Sequence, residues 1–92
     1  MQIDFNVEYE LTKEVIYDEE NEPMQEYIFI VPAEWLSQMY KEHLTKMFDY
    51  EGWDLDVFLA TYDPEIEGTA IYHLAKADNV IIDEGWAEIA EY

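Results

Sequence analysis

Residues 2–12 alternate without a break, with Ile3, Phe5, Val7, Tyr9 and Leu11 on one parity and Gln2, Asp4, Asn6, Glu8, Glu10 and Thr12 on the other. A period of two sustained over that length commits the chain to a strand with one buried and one wet face. Val15 and Tyr17 keep the apolar parity, so the strand is expected to run on to Asp18 with a bend near Lys13. Glu19-Glu20-Asn21-Glu22-Pro23 reads as a turn, and Gln25 to Val31, rich in aromatic and β-branched residues, as a second strand. The two make an N-terminal antiparallel hairpin.

The period then changes. Pro32 supplies a fixed φ at the expected first helical position. After it Leu36, Met39, Tyr40, His43, Leu44, Met47 and Phe48 recur at helical spacing, with Glu34, Gln38, Lys41, Glu42, Thr45 and Lys46 on the other side. A helix is expected over 33–49, ended by Tyr50-Glu51-Gly52-Trp53. Asp54 can cap a short second helix carrying Leu55, Phe58, Leu59 and Tyr62. Asp63-Pro64-Glu65 is a strong start signal for a third, running to about Ala77 and burying Ile66, Ala70, Ile71 and Leu74. Gly68 weakens it by about 1 kcal/mol relative to Ala, and Lys76 suits its negative end. Val80 to Asp83 reads as a short strand, whereas Glu84 to Tyr92 fits either a helical turn or a strand. The expected fold is one α+β domain over 1–92: a small antiparallel sheet, two to three helices on one face, order β-β-α-α-α-β.

Charge is the second constraint. The chain has 23 Asp and Glu against four Lys (Lys13, Lys41, Lys46 and Lys76), a formal charge of −19 on 92 residues. Acidic chains are often disordered, but disorder goes with few aromatic and β-branched residues. Here 50% of residues are hydrophobic and 16% aromatic, enough for one core. The absence of cysteine excludes disulfides and thiolate chemistry and is compatible with a reducing cytosol. The N-terminal stretch lacks a basic segment followed by an apolar run, and no apolar stretch reaches membrane-spanning length, so a cytoplasmic protein is expected. Nucleic acid and anionic lipid would both repel this surface, which leaves a protein or a cation as partner.

The acids are unevenly placed. The exposed side of the first helix is nearly neutral, because Lys41 and Lys46 lie beside Glu34 and Glu42. Acids gather at the hairpin tip (Asp18, Glu19, Glu20, Glu22), around the first interhelix loop (Asp49, Glu51, Asp54, Asp56) and at the start of the third helix (Asp63, Glu65, Glu67). Asp83, Glu84, Glu88 and Glu91 form a further set, and the wet face of strand one adds Asp4, Glu8 and Glu10. Residues two apart on a strand are about 6.6 Å apart, close to two axial steps of a DNA strand at about 3.4 Å each. Carboxylates so spaced can meet Lys and Arg side chains placed to grip phosphates, in a salt-sensitive contact. Trp53, ringed by acids, can stack on a partner's Arg or fold over the core edge. The three acidic groups with Trp53 are the candidate partner-binding residues. A chain whose acidity serves only solubility or salt adaptation would share the composition but not a directional arrangement.

In size, absence of Cys and Arg, and acidic runs such as YDEENE (17–22) and DYEGWDLD (49–56), the chain resembles the small acidic proteins by which phages disable bacterial defences. These include DNA-mimic inhibitors of restriction enzymes and anti-CRISPR proteins. The resemblance implies an inhibitor that occludes the nucleic-acid channel of a CRISPR effector, restriction enzyme or nuclease, acting in the host cytoplasm without binding nucleic acid itself. YEGWDLDVFL (50–59) is similar to the Tyr-Gly-Glu-Asn-Leu-Asp segment of barstar-type nuclease immunity proteins, without its Gly and Asn positions, and implies the same acidic plug.

Other chemistry finds no support in the sequence. An EF-hand loop needs Gly at position six and Glu at twelve, but Asp49-Tyr50-Glu51-Gly52 places Gly fourth. His43 and His73 fall on or near apolar helix sides without metal-ligand spacing, as packed histidines would. No nucleophile triad, P-loop or Rossmann glycine pattern is present, and among 23 carboxylates proximity alone does not mark a catalytic pair. Neither metal, cofactor nor catalysis is expected.

Overall fold

The computed structural model describes residues 7–49 and 54–89. Strands β1 (Glu8–Tyr17), β2 (Pro23–Pro32) and β3 (Asp83–Glu88) form an antiparallel sheet in the order β1-β2-β3. Between β2 and β3 run two long helical stretches and a short one. Helix α1 (33–47) is α-helical over Ala33–Met39, opens to π geometry over Tyr40–Leu44 and closes again over Thr45–Met47. The short α2 is Leu55–Thr61; α3 (64–78) starts as a π turn over Pro64–Gly68 and continues as α-helix over Thr69–Asp78.

The alternating pattern of β1 survives only as far as Thr12. Tyr9 pairs with Val31 and Leu11 with Phe29, which brings the apolar parities of both strands to the helix side. Between Thr12 and Glu14 the register slips, leaving Lys13 without a cross-strand partner. Such a bulge bends the strand and re-aims the residues beyond it. Val15 is accordingly only half-buried and Tyr17 exposed. Ile3 and Phe5 lie outside the described residues, and Val7, expected inside, is exposed at the start of the ladder, where its carbonyl accepts from Ala33 N–H.

The core joins Leu11, Phe29 and Val31 of the sheet to Leu36, Tyr40 and Leu44 of α1, Phe58 of α2, and Ile71 and Ala75 of α3. All the helical contributors meet one face of the sheet, which is the α+β arrangement expected.

Several expectations need correction. Pro32 is the extended last residue of β2 (ψ 138°), not the first of the helix. The first helix stops at Met47, since Asp49 turns left-handed (φ 56°). The π turn rotates the apolar stripe, so Met47 and His43 face solvent. In α3 the same effect exposes Ile66 at 60%, leaves Ala70 and Leu74 half-buried, and puts His73 outside. The last strand is Asp83–Glu88 rather than Val80–Asp83, because Asn79 ends α3 in the left-handed region and Val80 and Ile81 pack on the core before pairing begins.

Gly68 is a packing requirement rather than a weak point. A Cβ at this position would stand 2.0 Å from the Thr12 carbonyl oxygen and 3.3 Å from Lys13 Cα. Only glycine lets the first turn of α3 lie on the β1 bulge. Around that contact the outward edge of β1 is closed: Thr12 N–H donates to the Tyr62 hydroxyl at 2.8 Å, and the Thr69 hydroxyl donates to the Lys13 carbonyl at 3.0 Å.

Candidate functional site

The hairpin tip is built by one of its own acids. Asp18 Oδ1 accepts from the amides of Glu20 (2.9 Å) and Glu22 (3.0 Å), and Asn21 takes the positive φ of 63° that the turn requires. With Asp18 holding the backbone, Glu19, Glu20 and Glu22 are exposed.

A second cap organises the start of α3. The Asp63 carbonyl accepts from the amides of Ile66, Glu67 and Gly68, which is what widens this turn. Asp63 Oδ1 accepts from Glu65 N–H at 2.9 Å, while Glu67 Oε2 accepts from Asp63 N–H at 2.6 Å, a reciprocal cap. Glu65 is left exposed and Glu67 half-buried. Because α3 runs antiparallel to β1 (Gly68 at Thr12 and Lys13, then an open groove lined by Val15, Tyr17, Tyr62, Asp63, Pro64 and Glu65), its acidic start lies at the hairpin end of the sheet. The tertiary structure therefore unites two of the three acidic groups.

The third stands apart. Asp54 caps α2 by accepting from Val57 N–H at 2.8 Å, Asp56 is exposed in its first turn, and Asp49 is exposed just after α1. Seven residues of α2, about 10 Å at 1.5 Å per residue, separate this group from Asp63. Glu51 and Trp53 lie outside the described residues.

Two of the four lysines are engaged by other side chains, Lys13 half-buried and Lys76 exposed. Lys13 Nζ sits 4.5 Å from the ring centres of both Tyr27 and Tyr72, and Lys76 Nζ pairs with Glu84 Oε2 at 3.2 Å. Glu84 Oε1 accepts from the Tyr27 hydroxyl at 2.9 Å and the Tyr72 hydroxyl at 3.0 Å. The Tyr27 hydroxyl and then the Lys76 ammonium hold the Glu84 carboxyl below its ordinary range, against the opposing effect of desolvation. The bond to Glu84, reinforced by burial, pushes the Tyr27 phenol up to about 12. Lys41 and Lys46 remain exposed on α1, beside Glu34 and Glu42, as the sequence implied.

The far face of the sheet was not foreseen. Ile28 and Ile30 of β2 lie opposite the helices and outside the core, over an open groove with Asp83, Gly85 and Trp86 of β3. The available signal was that residues 27–31 are apolar on both parities, which a strand with a single buried face does not need. Among the described residues no group of three His, Cys, Asp or Glu is placed to hold a metal ion, and no helix is long and apolar enough to cross a membrane. Comparison of the chain with protein-family models, with curated proteins and with solved structures finds no match.

Proposed function

We propose that this chain is a binding protein, not a catalyst, that inhibits a basic nucleic-acid-binding protein by occupying its nucleic-acid site. A CRISPR effector, restriction enzyme or nuclease is the target class, and the cytoplasm of a bacterial host the place of action. The observation that carries the reading is the disposition of charge. Lys13 lies over the rings of Tyr27 and Tyr72 and the exposed Lys76 is paired with Glu84, while Glu19, Glu20, Glu22, Glu65 and Asp63 share one end of the molecule. The largest extent, 41 Å, equals about 12 axial steps of a nucleic-acid strand at roughly 3.4 Å each. Such a surface can release counterions from a cationic channel as a phosphate backbone does.

The test is competition. A target should lose its labelled duplex when this protein is added, and excess duplex should reverse the loss. Asp54 and Asp18 are caps, so charge reversal belongs at Glu19, Glu20 and Glu65, compared with reversal at Glu34, Glu42 and Glu8. The first set should slow association and weaken inhibition well beyond the second. Equal effects would reduce the mechanism to net charge, and no effect from either would leave the acidity to solubility or salt adaptation.

A further inference from the structure

The two edges of the sheet are treated differently. Alternation of ladder bonds fixes which backbone groups face outward. Ala33 N–H donates to the Val7 carbonyl, so ahead of the bulge the odd residues of β1 bond to β2 and the even ones, Thr12 among them, face out. That edge is covered at Thr12 and Lys13 by Tyr62, Gly68 and Thr69. On the opposite edge Ile89 N–H donates to the Met24 carbonyl, so Gly85 and Ala87 bond inward and Glu84, Trp86 and Glu88 outward. Asp83 Oδ1 covers the Glu84 amide at 2.9 Å. The Trp86 and Glu88 amides and the outward carbonyls have no partner among the described residues.

We propose that this open edge of β3 takes up an extended, arginine- or lysine-bearing segment of the target as a fourth strand. The proposal rests on the basic-partner reading above and adds backbone pairing to charge. Strand addition draws its affinity from main-chain hydrogen bonds and its selectivity from alternate side chains. On the helix side, Trp86 is 48% exposed and set edge-on against Tyr27 with ring centres 5.2 Å apart, which leaves an indole surface for a guanidinium, with Glu88 on the same face. On the far side, Gly85 meets nothing within 4 Å of its absent Cβ, so the groove beside Ile28 and Ile30 can take an apolar side chain. The segment that fits alternates a basic with an apolar residue. A second copy of this chain fits poorly, since pairing two β3 edges would set Asp83, Glu84 and Glu88 against their own kind.

The probe is a synthetic peptide alternating arginine and valine, beside a version N-methylated at every second residue, which keeps the charge but cannot pair. The readout is amide hydrogen exchange and binding by titration on the full chain. The plain peptide should slow exchange at Trp86 and Glu88, and the methylated one should bind at least about tenfold more weakly. Glu88→Pro deletes one outward amide without touching the ladder to β2 and should weaken the plain peptide similarly, while Glu88→Gln, with the same charge lost, should not. Equal binding of the two peptides, protection confined to the hairpin tip and the start of α3, or self-association of the free chain through the β3 amides would each overturn the proposal. Duplex competition by the acidic end would still stand in the first two cases, so the two readings fail separately.

Discussion

Gly68 and Glu84 decide more than their types suggest. By helix propensity alone Gly68→Ala would stabilise α3 by about 1 kcal/mol. The contact with Thr12 reverses the sign: the added methyl meets backbone on both sides, and overpacking of this kind costs about 1–3 kcal/mol or more. Denaturant melts of the variant should show a lowered midpoint; a raised one would mean that α3 does not rest on the bulge. The Glu84 cluster predicts a pH dependence. A depressed carboxyl contributes stability that is present above about 4.3, the ordinary Glu value, and lost as pH falls through the folded pKa. A raised phenol contributes below about 10 and loses its contribution as pH rises from there to about 12. Glu84→Gln should therefore bring Tyr27 back toward its ordinary value, followed by ring-carbon NMR of labelled tyrosines across that range.

Among elements, α2 shows how little length a core position needs. It has seven residues, yet Phe58 is fully buried, its ring 5.4 Å from that of Tyr40 and 5.8 Å from that of Tyr62. Phe58→Ala should cost about 3–5 kcal/mol, a large part of the stability of so small a domain. Val7→Ala, on a residue 39% exposed, should stay within about 0.5 kcal/mol. Comparable losses in thermal melts would mean that the strand's apolar parity is buried beyond Tyr9 after all. The third strand lies in a stretch whose pattern fits helix and strand alike. The hairpin was readable because alternation marks β1 as half-buried and aromatic and β-branched residues mark β2, and the caps because Asp54 and Asp63-Pro64 carry their own hydrogen-bonding logic. The π turns in α1 and α3 were not, since a five-residue widening leaves no local signature and shows only in which residues it turns outward.

For the molecule as a whole, ionic strength is the governing variable. At about 0.01 M salt the screening length is about 30 Å, longer than the two shorter dimensions of 28 and 25 Å, so the carboxylates repel one another across the whole fold. At about 0.15 M it falls to about 8 Å. The free domain should therefore gain melting temperature over that range, while its complex with a basic target weakens. An affinity flat across the same range would remove the electrostatic mechanism.

Period, turn chemistry and composition by themselves determined an N-terminal hairpin, an amphipathic helix after Pro32, caps at Asp54 and Asp63, and a large uncompensated negative charge, because each of these is encoded by residues close together along the chain. Only the tertiary structure decided where the acids gather and which parts of the sheet edges are covered. It placed Asp63–Glu67 at the hairpin end through the Gly68 contact with β1, fifty-odd residues away in sequence. It also set Lys13 over Tyr27 and Tyr72, paired the exposed Lys76 with Glu84, and covered the β1 edge at Thr12 and Lys13 while leaving the Trp86 and Glu88 amides of β3 without a partner among the described residues. Those outcomes depend on which surfaces meet once the core closes, and no local pattern carries that information.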